Sequence, residues 1–293
     1  MAKEVVMVDV DELGIDTTNI RGGEWDRKED LVQDIKNNGI LSPLIVRPAD
    51  PKTGKKYAIV CGSRRYNAAI EVGLSQVPVF IDKMDDVTAL GRTIAENIHR
   101  TDIPAYMYAL RIGEMYELLD HKGKKADLVN IIMNKTGFAE STVYTYLDIA
   151  GLPGEIIELM KEPEKRSKKV IELLKGSSMI EPGGTLSVEK AAKIASELRG
   201  FPLTKMFEVA AYIMSLTKDT AFDIIERVKT YPKMSMEEIH GIVSAIPKGG
   251  RWFFEFSSQI VAALDEACMR KSIDRKSLIV RYVEDGLRRD GFI

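Results

Sequence analysis

The sequence predicts an α+β protein with a small α/β domain at the N-terminus, an all-helical central part and a C-terminal strand-helix-helix unit. Three observations predict this order. Short β-rich runs alternate with helical periods only over the first 82 residues, and helical periods then follow with almost no strand signal. Proline and glycines at residues 247–250 precede a last aromatic run. The predicted domains are residues 1–103, 104–200, 201–248 and 249–293.

The first 82 residues carry the signals of a compact α/β domain. Runs rich in β-branched residues predict strands, and Gly39 and Gly73 close two helical stretches, since glycine commonly ends helices. The predicted strands are residues 5–10, 44–47, 57–61 and 77–81, and the predicted helices are residues 28–38 and 62–72.

The central part is predicted to be an array of helices. Its helical periods cover residues 87–98, 104–119, 126–134, 141–150, 155–160, 188–198, 205–216, 220–229 and 236–245. Two stretches interrupt the array: a charged run at residues 161–169, and residues 176–185, where Gly, Ser and Pro predict an exposed loop.

The helices at residues 126–134 and 141–150 have the spacing of a helix-turn-helix, with Gly137 in the turn. The second helix of that motif enters the DNA major groove. Apolar side chains predicted to pack between the two helices are Leu128, Ile131, Ile132, Val143 and Leu147. Polar side chains left outside, and predicted to contact bases or phosphates, are Ser141, Thr142, Tyr144 and Thr145. The spacing alone also fits an ordinary helical hairpin.

A basic run follows the predicted recognition helix. It includes Lys168 and Lys169, for which we predict phosphate contacts because lysine neutralises the DNA backbone. The whole chain has a net charge of -2, so any DNA contact must come from such local patches.

Composition narrows the class of protein. With 45% hydrophobic and 29% charged residues and no long apolar stretch, the chain is expected to be a cytoplasmic globular protein without a membrane partner. The two cysteines, Cys61 and Cys268, lie far apart and favour neither a disulfide framework nor a zinc site.

Two short motifs predict a phosphate site. Gly62, Ser63, Arg64 and Arg65 follow a predicted strand and start a helix, where backbone N–H groups and guanidinium groups can converge on an anion. Further along, Glu96 and Asn97 end a helix side by side, and their oxygens suit Mg²⁺ that bridges phosphates. Each motif is weak alone, because solvated residues of these types are common at helix ends.

Together, in this order, the motifs resemble the three boxes of the ParB family. Residues 39–47 resemble its first box, and residues 62–65 resemble the box that holds the triphosphate. Residues 96–102 resemble the third box, whose glutamate and asparagine hold magnesium, and Arg21 matches an arginine of an early element. The resemblance implies that further nucleotide-binding residues are Gly39, Ile40, Pro43 and Arg100.

The resemblance implies a nucleotide-binding domain of the ParB/sulfiredoxin type that takes CTP and Mg²⁺. It implies a homodimer on palindromic double-stranded DNA that acts as a CTP-dependent clamp in plasmid or chromosome partition, with a ParA-type ATPase as partner. Ser63 stands where the family usually has glutamate, so slow CTP hydrolysis is left open. Sulfiredoxins have a catalytic cysteine after the glycine, whereas Cys61 precedes Gly62 and is predicted to be a core residue.

Other functions stay open at this point. A transcription regulator of the same build would carry the same motifs. A phosphotransferase could use the Gly62 turn for ATP, although no residue set for a second small substrate is evident. A scaffold with an inactive nucleotide site would agree with Ser63.

The last 43 residues predict a dimerisation unit. Residues 251–256 form a short aromatic run, predicted to be a strand with Trp252, Phe254 and Phe256 inward, and two amphipathic helices follow. So few elements cannot bury their apolar faces alone, and pairing with a second copy solves this. The pattern resembles the ribbon-helix-helix fold, whose paired strands could also contact DNA.

Overall fold

A computed structural model describes residues 4–20, 28–100, 103–119, 124–175, 184–245, 258–271 and 275–289. The chain divides into two compact units, Met1–Val243 and Ser244–Ile293. The first unit combines one sheet with many helices, which confirms the predicted mixture of α and β structure.

A five-stranded sheet forms the centre of the N-terminal region. Its strands are β1 (Val5–Asp9), β2 (Leu13–Ile15), β3 (Leu44–Pro48), β4 (Tyr57–Cys61) and β5 (Gln76–Ile81), in the spatial order β1-β5-β3-β4-β2. β1 with β5 and β3 with β4 are antiparallel, whereas β2 with β4 and β3 with β5 are parallel. Four strands agree with the prediction. β2 was not predicted, because three residues are too short to show alternation.

Two helices connect the strands of this sheet. They are α1 (Glu29–Asn38) and α2 (Ser63–Glu71), close to their predicted bounds. Gly39 ends α1 at a φ of 69°, a left-handed conformation that favours glycine. Apolar side chains of the strands are buried in the core, with Leu13, Leu44, Val46, Ile59, Val77 and Val79 fully enclosed.

Helices follow the sheet in chain order. They are α3 (Asp86–Asn97), α4 (Ala105–Leu118), α5 (Lys125–Thr136), α6 (Glu140–Ala150), α7 (Gly154–Glu158), α8 (Lys168–Lys175), α9 (Val188–Glu197), α10 (Leu203–Ile213), α11 (Lys218–Thr230) and α12 (Met236–Ala245). Only α8 was not predicted. Its buried Val170 and Leu174 stand one turn apart, directly behind the charged run that we had interpreted as an interruption.

One core joins α3, α4, α5 and α6. It contains Leu90, Ile94, Ile112, Ile132 and Val143, all fully buried. Ile131, which was predicted to pack between α5 and α6, is 38% exposed and does not belong to this core. Val129 is buried on α5 in addition to the predicted Leu128 and Ile132.

The second unit contains α13 (Ser258–Lys271) and α14 (Arg275–Arg289). Leu278 is buried there, whereas Ile260, Val261, Val280, Tyr282 and Val283 are exposed. The predicted aromatic strand at residues 251–256 lies outside the described residues. Within the described residues, no helix combines the length and apolar character that crossing a membrane requires.

Candidate functional site

A cavity of about 270 Å³ lies between the start of α2 and the end of α3. It brings together the two motifs that the sequence predicted to bind phosphate and metal. The residues that line it are Asn19, Leu31, Gly62, Ser63, Arg64, Arg65, Glu96, Asn97 and Arg100. Gly39, Ile40 and Pro43 of the first motif do not line it.

Gly62 shapes the turn at the base of this cavity. Its φ of 98° is left-handed, and a Cβ there would lie 2.7 Å from Cδ2 of Leu44. The left-handed φ strains any larger residue, and a Cβ would also force the Leu44 side chain to shift. The turn directs the start of α2 at the cavity, and the first N–H groups of a helix have no carbonyl partner within it. This is the backbone arrangement that binds anions.

Arg64 adds an unpaired charged donor to the site. Its Nε is buried and has no hydrogen-bond partner in the structure. Buried polar groups nearly always have a partner, since leaving a charged donor unsatisfied is costly. Arg64 also lines the cavity, so its guanidinium group is a candidate donor to an anion bound there.

Arg65 connects the phosphate motif to the first predicted motif. Its Nη1 donates hydrogen bonds to the backbone carbonyls of Ser42 and Pro43, the second at 3.1 Å. Burial lowers the pKa of Arg65, and the nearby Glu96 carboxylate opposes this shift. Pro43 therefore touches the site through Arg65, although it does not line the cavity.

The third motif forms a small network at the end of α3. Asn97 donates through Nδ2 to Glu96 Oε2 at 2.8 Å, and Arg100 donates through Nη1 to Asn97 Oδ1 at 3.2 Å. Arg100 also lies 3.7 Å from Glu96 Oε1. The side-chain oxygens of Glu96 and Asn97 thus lie beside the phosphate motif.

The side-chain oxygens of Glu96 and Asn97 are suitable ligands for Mg²⁺, but two ligands do not complete its coordination shell. Among the described residues no group of three His, Cys, Asp or Glu side chains could hold a metal ion. Mg²⁺ at nucleotide sites usually takes one or two protein oxygens, and phosphates and waters complete its shell. Glu96 and Asn97 fit that pattern.

A buried ion pair that the sequence did not reveal supports one wall of the cavity. Arg47 on β3 donates through Nε to Asp16 Oδ2 at 2.6 Å, and its Nη1 lies 2.6 Å from Asp86 Oδ1 at the start of α3. Asp16 also accepts from the backbone N–H of Thr18 at 2.9 Å. These contacts fix the loop that carries Asn19. The sequence separation of the partners hides the pair from sequence analysis.

Replacing Asp16 by asparagine is expected to destabilise the protein by about 3 kcal/mol, because removing one partner of a buried pair leaves the other uncompensated. Burial opposes ionisation of Asp16, but hydrogen bonds from Arg47 and Thr18 outweigh it and lower its pKa. Because the pKa is lower in the native state, the ionised carboxylate stabilises the fold at every pH above the unfolded-state pKa of Asp16. This contribution is lost as the pH falls through the native-state pKa.

Denaturant unfolding of Asp16→Asn and wild type at several pH values measures both effects. The difference between them should shrink under acid. Asp34→Asn, at an exposed position on α1 where Asp34 accepts from Asn38, is the control and should change stability by about 0.5 kcal/mol or less. Equal stability of Asp16→Asn and wild type at neutral pH would contradict the supporting role of the pair.

Cys61 is a core residue, as predicted. Its side chain is buried at the end of β4, and burial raises the pKa of the thiol to about 12. A thiol that stays protonated at neutral pH is a poor nucleophile.

The predicted DNA-reading residues lie along α6, behind the turn at Gly137 (φ 82°). Ser141 is exposed, and Thr142, Tyr144 and Thr145 are partly buried. Thr145 donates its hydroxyl to the carbonyl of Ser141 at 2.8 Å.

The lysines near α6 differ in whether their ammonium groups are free to contact a phosphate. Lys125 Nζ, which sequence analysis missed, lies 5.3 Å from the centre of the Tyr144 ring. Lys168 and Lys169 begin α8, and Lys169 Nζ is 2.6 Å from Glu155 Oε1. Lys169 would have to leave this ion pair to contact a phosphate.

Comparison with known proteins gives consistent matches. Residues 1–98 match the family model of the ParB N-terminal domain. The chain is 34% identical to the chromosome-partitioning protein ParB of Caulobacter vibrioides over 128 residues, or 44% of this chain and 40% of that protein. It is 33% identical to the chromosome-partitioning protein Spo0J of Thermus thermophilus over 136 residues, or 46% of each chain. The matches span less than half of these relatives.

A solved structure is also similar. It is the C-terminally truncated chromosome-partitioning protein ParB from Caulobacter crescentus complexed with CTP-gamma-S, at 24% identity and a TM-score of 0.30. The alignment covers 71% of this chain and 98% of that chain.

Proposed function

We propose that this chain, which is ParB-like in its N-terminal region, binds CTP with Mg²⁺ in the cavity between α2 and α3 and acts as a nucleotide-dependent DNA clamp in partition. The observation that carries the proposal is that Arg64, whose buried Nε has no hydrogen-bond partner, lines the same cavity as Glu96 and Asn97. The backbone N–H groups at the start of α2 and the guanidinium groups of Arg64 and Arg65 would bind the phosphates. Glu96 and Asn97 would bind the metal ion.

The DNA partner is proposed from the hairpin of α5 and α6. We infer that α6 enters the major groove of a palindromic site, with Ser141, Thr142, Tyr144 and Thr145 towards the bases and Lys168 and Lys169 towards phosphates. A homodimer would place two such helices on the two half-sites, because a two-fold dimer matches a palindrome. The named relatives are chromosome-partitioning proteins, which favours a role in partition; a ParA-type ATPase would be the partner in that role.

Ser63 favours a second candidate in which nucleotide is bound but not hydrolysed. This side chain is buried at the start of α2 and carries no carboxylate. A binding-only scaffold or a transcription regulator would need the cavity and the DNA hairpin, but no turnover. A phosphotransferase would also need a place for a second substrate beside the cavity.

Titration of the full chain with CTP, ATP, GTP and UTP, each with Mg²⁺ and with or without DNA, tests the proposal. The DNA should be the duplex that the protein enriches from a random pool. Tight binding of CTP alone among the four is the expected result, and phosphate release distinguishes the clamp from a scaffold. Failure of all four nucleotides to bind would refute the nucleotide site.

Replacing Thr142 and Thr145 together by alanine should reduce discrimination between enriched and random DNA by about 1 to 3 kcal/mol per lost base contact. Replacing Lys168 by alanine should weaken binding to every sequence by a similar factor. It should also reduce the slope of log affinity against log salt concentration by about one, the change expected for one lost phosphate contact. Binding isotherms at several salt concentrations measure both. Unchanged discrimination in the double variant would place sequence reading elsewhere.

A further inference from the structure

Strand β1 forms one edge of the five-stranded sheet, and three of its exposed side chains are apolar. Val5, Val6 and Met7 are 48%, 40% and 54% exposed, whereas Val8 is buried in the core of the sheet. Successive side chains of a strand point to opposite faces, so apolar surface lies on both faces of this edge. An added strand could therefore pack apolar side chains on either face.

The register of β1 with β5 decides which backbone groups of β1 point outward. In an antiparallel pair every second residue exchanges hydrogen bonds with the partner strand, and the residues between direct their N–H and C=O groups away from it. Met7 lies opposite Pro78, which has no N–H, so this pair cannot exchange both hydrogen bonds. In continuation of the same register, the Val10 N–H donates to the Ser75 carbonyl at 3.0 Å. The even-numbered residues of β1 are therefore those bonded to β5.

The odd-numbered residues direct their N–H and C=O groups to the outer side of β1: Val5, Met7 and Asp9. No described strand pairs with this side. Natural sheet edges are usually protected by a lysine, a proline, a bulge or a very short strand. β1 has five residues, none of them lysine or proline, and an unshifted register with β5. The other edge strand, β2, has only three residues, so β1 is the edge that is open to a further strand.

The charges at the two ends of β1 indicate which kind of strand would pair with it. Glu4 precedes the strand and Asp9 ends it, and both are exposed. Asp9 accepts a hydrogen bond from the neutral amide of Gln76 at 2.8 Å, so its charge is not offset. A second copy of β1 paired antiparallel would bring Glu4 of one copy beside Asp9 of the other, and this like-charge contact disfavours self-pairing. A segment with Lys or Arg at both ends would complement the edge.

Two lysines on the turn between β3 and β4 do not cancel these charges. Lys55 Nζ donates to the backbone carbonyl of Asp11 at 2.8 Å, and Lys56 Nζ lies 3.3 Å from Glu12 Oε1. The carboxylates of Asp11 and Glu12 offset the two ammonium groups. The edge therefore keeps a net negative charge among the described residues around it.

We propose that β1 is a docking edge for an extended segment of a partner protein, with apolar residues at the centre of that segment and Lys or Arg at both ends. The segment adds a strand to the sheet through main-chain hydrogen bonds with Val5, Met7 and Asp9. Its apolar centre packs on the exposed side chains of β1, and its basic ends select for the carboxylates of Glu4 and Asp9. No residue of β1 lines the nucleotide cavity, so the proposal does not depend on nucleotide or DNA binding.

A fluorescent peptide with the sequence Lys-Arg-Val-Thr-Val-Thr-Val-Arg-Lys probes the edge of the full chain, and fluorescence anisotropy measures its affinity. Two control peptides separate pairing from charge. One has proline in place of the central Val and of the Thr after it, which keeps the charge and removes the N–H donors. The other has Glu in place of every Lys and Arg. We expect both controls to bind at least about tenfold more weakly.

Two substitutions of Met7 test the edge itself. Met7→Pro removes an outward N–H that β5 does not use, and proline is tolerated at such edge positions. Met7→Lys keeps the N–H and adds a positive charge that repels a basic strand. Each should weaken binding of the Lys/Arg peptide at least about tenfold. Gln33→Lys, at an exposed position on α1, adds the same charge elsewhere and should change the affinity less than about twofold.

Two further measurements complete the test. Thermal unfolding checks that each variant is folded, and if Met7→Pro is not, Met7→Lys decides. Amide hydrogen exchange, followed by NMR, distinguishes strand addition from attraction between charges. The Lys/Arg peptide should slow exchange at the outward N–H groups of Val5, Met7 and Asp9 and leave those of Val6 and Val8 unchanged.

Slower exchange at Met7 together with weaker binding by the Met7 variants would support the docking edge. Equal affinity for the proline peptide or the acidic peptide would overturn it, and so would unweakened binding by folded Met7→Lys. Absence of binding by wild type would overturn it as well. If exchange at Met7 instead slows when the protein alone is concentrated, a second copy occupies the edge and the basic partner is wrong.

Discussion

Replacing Arg64 by alanine is expected to abolish measurable nucleotide binding while short DNA still binds through α5 and α6. Arg64 lines the cavity at the start of α2, and its buried Nε has no hydrogen-bond partner. Each charge-assisted hydrogen bond to a phosphate is worth about 1.5 to 3 kcal/mol, and a guanidinium fork can make two. Loss of both would weaken binding by about two to four orders of magnitude. Isothermal titration with CTP and Mg²⁺ measures the effect.

Arg92→Ala is the matched control for this prediction. Arg92 lies on α3 and is paired with Asp82 at 2.6 Å, and it does not line the cavity. The control removes the same charge from the same region, so a general electrostatic effect would appear in both variants. Unaltered CTP affinity in folded Arg64→Ala would refute the assignment of the phosphate site.

Deleting residues 251–293 is expected to give a monomer that binds a palindromic site about 10² to 10⁴ times more weakly, because a dimer holds its second reading helix at high effective concentration. The described helices of this segment expose apolar side chains that a second copy could cover: Ile260, Val261, Val280, Tyr282 and Val283. Light scattering reports the oligomeric state, and DNA titration reports the affinity.

A single substitution can test the dimer interface without removing residues 251–293. Val283→Asp places a charge on α14 at a side chain that is 55% exposed in the single chain, where it costs little unless a partner covers it. Glu284→Gln beside it is the control and should remain dimeric. A truncated chain that still scatters as a dimer would move the main interface elsewhere.

Local signals made the position of the candidate phosphate motif, between β4 and α2, predictable from sequence. The motif of Gly62, Ser63, Arg64 and Arg65 needs only the end of a strand before it and the start of a helix after it. Both can be predicted from the neighbouring residues. The ion pair between Asp16 and Arg47 could not be predicted, because the partners are 31 residues apart and meet only through the sheet. The contacts of Tyr108 with the carbonyl of Asn97 and with the ring of Phe138 could not be predicted for the same reason.

Short or displaced patterns account for the other differences. β2 has three residues, too few for the period of two to be visible, and the apolar residues of α8 followed a charged run that dominated its interpretation. On α5 the expected stripe included Ile131, whereas the structure buries Val129. Both positions fit a helical period beside Leu128 and Ile132, and only the tertiary packing of α3 and α4 decides between them.

The core shared by α3, α4, α5 and α6 has a consequence for how this protein could be cut or recombined. A fragment that stops near residue 103 would keep α3 but lose what covers Leu90 and Ile94, both fully buried in the whole chain. Such a fragment would expose an apolar surface and tend to aggregate. The sheet region and helices α3 to α6 should therefore be exchanged between relatives as one piece.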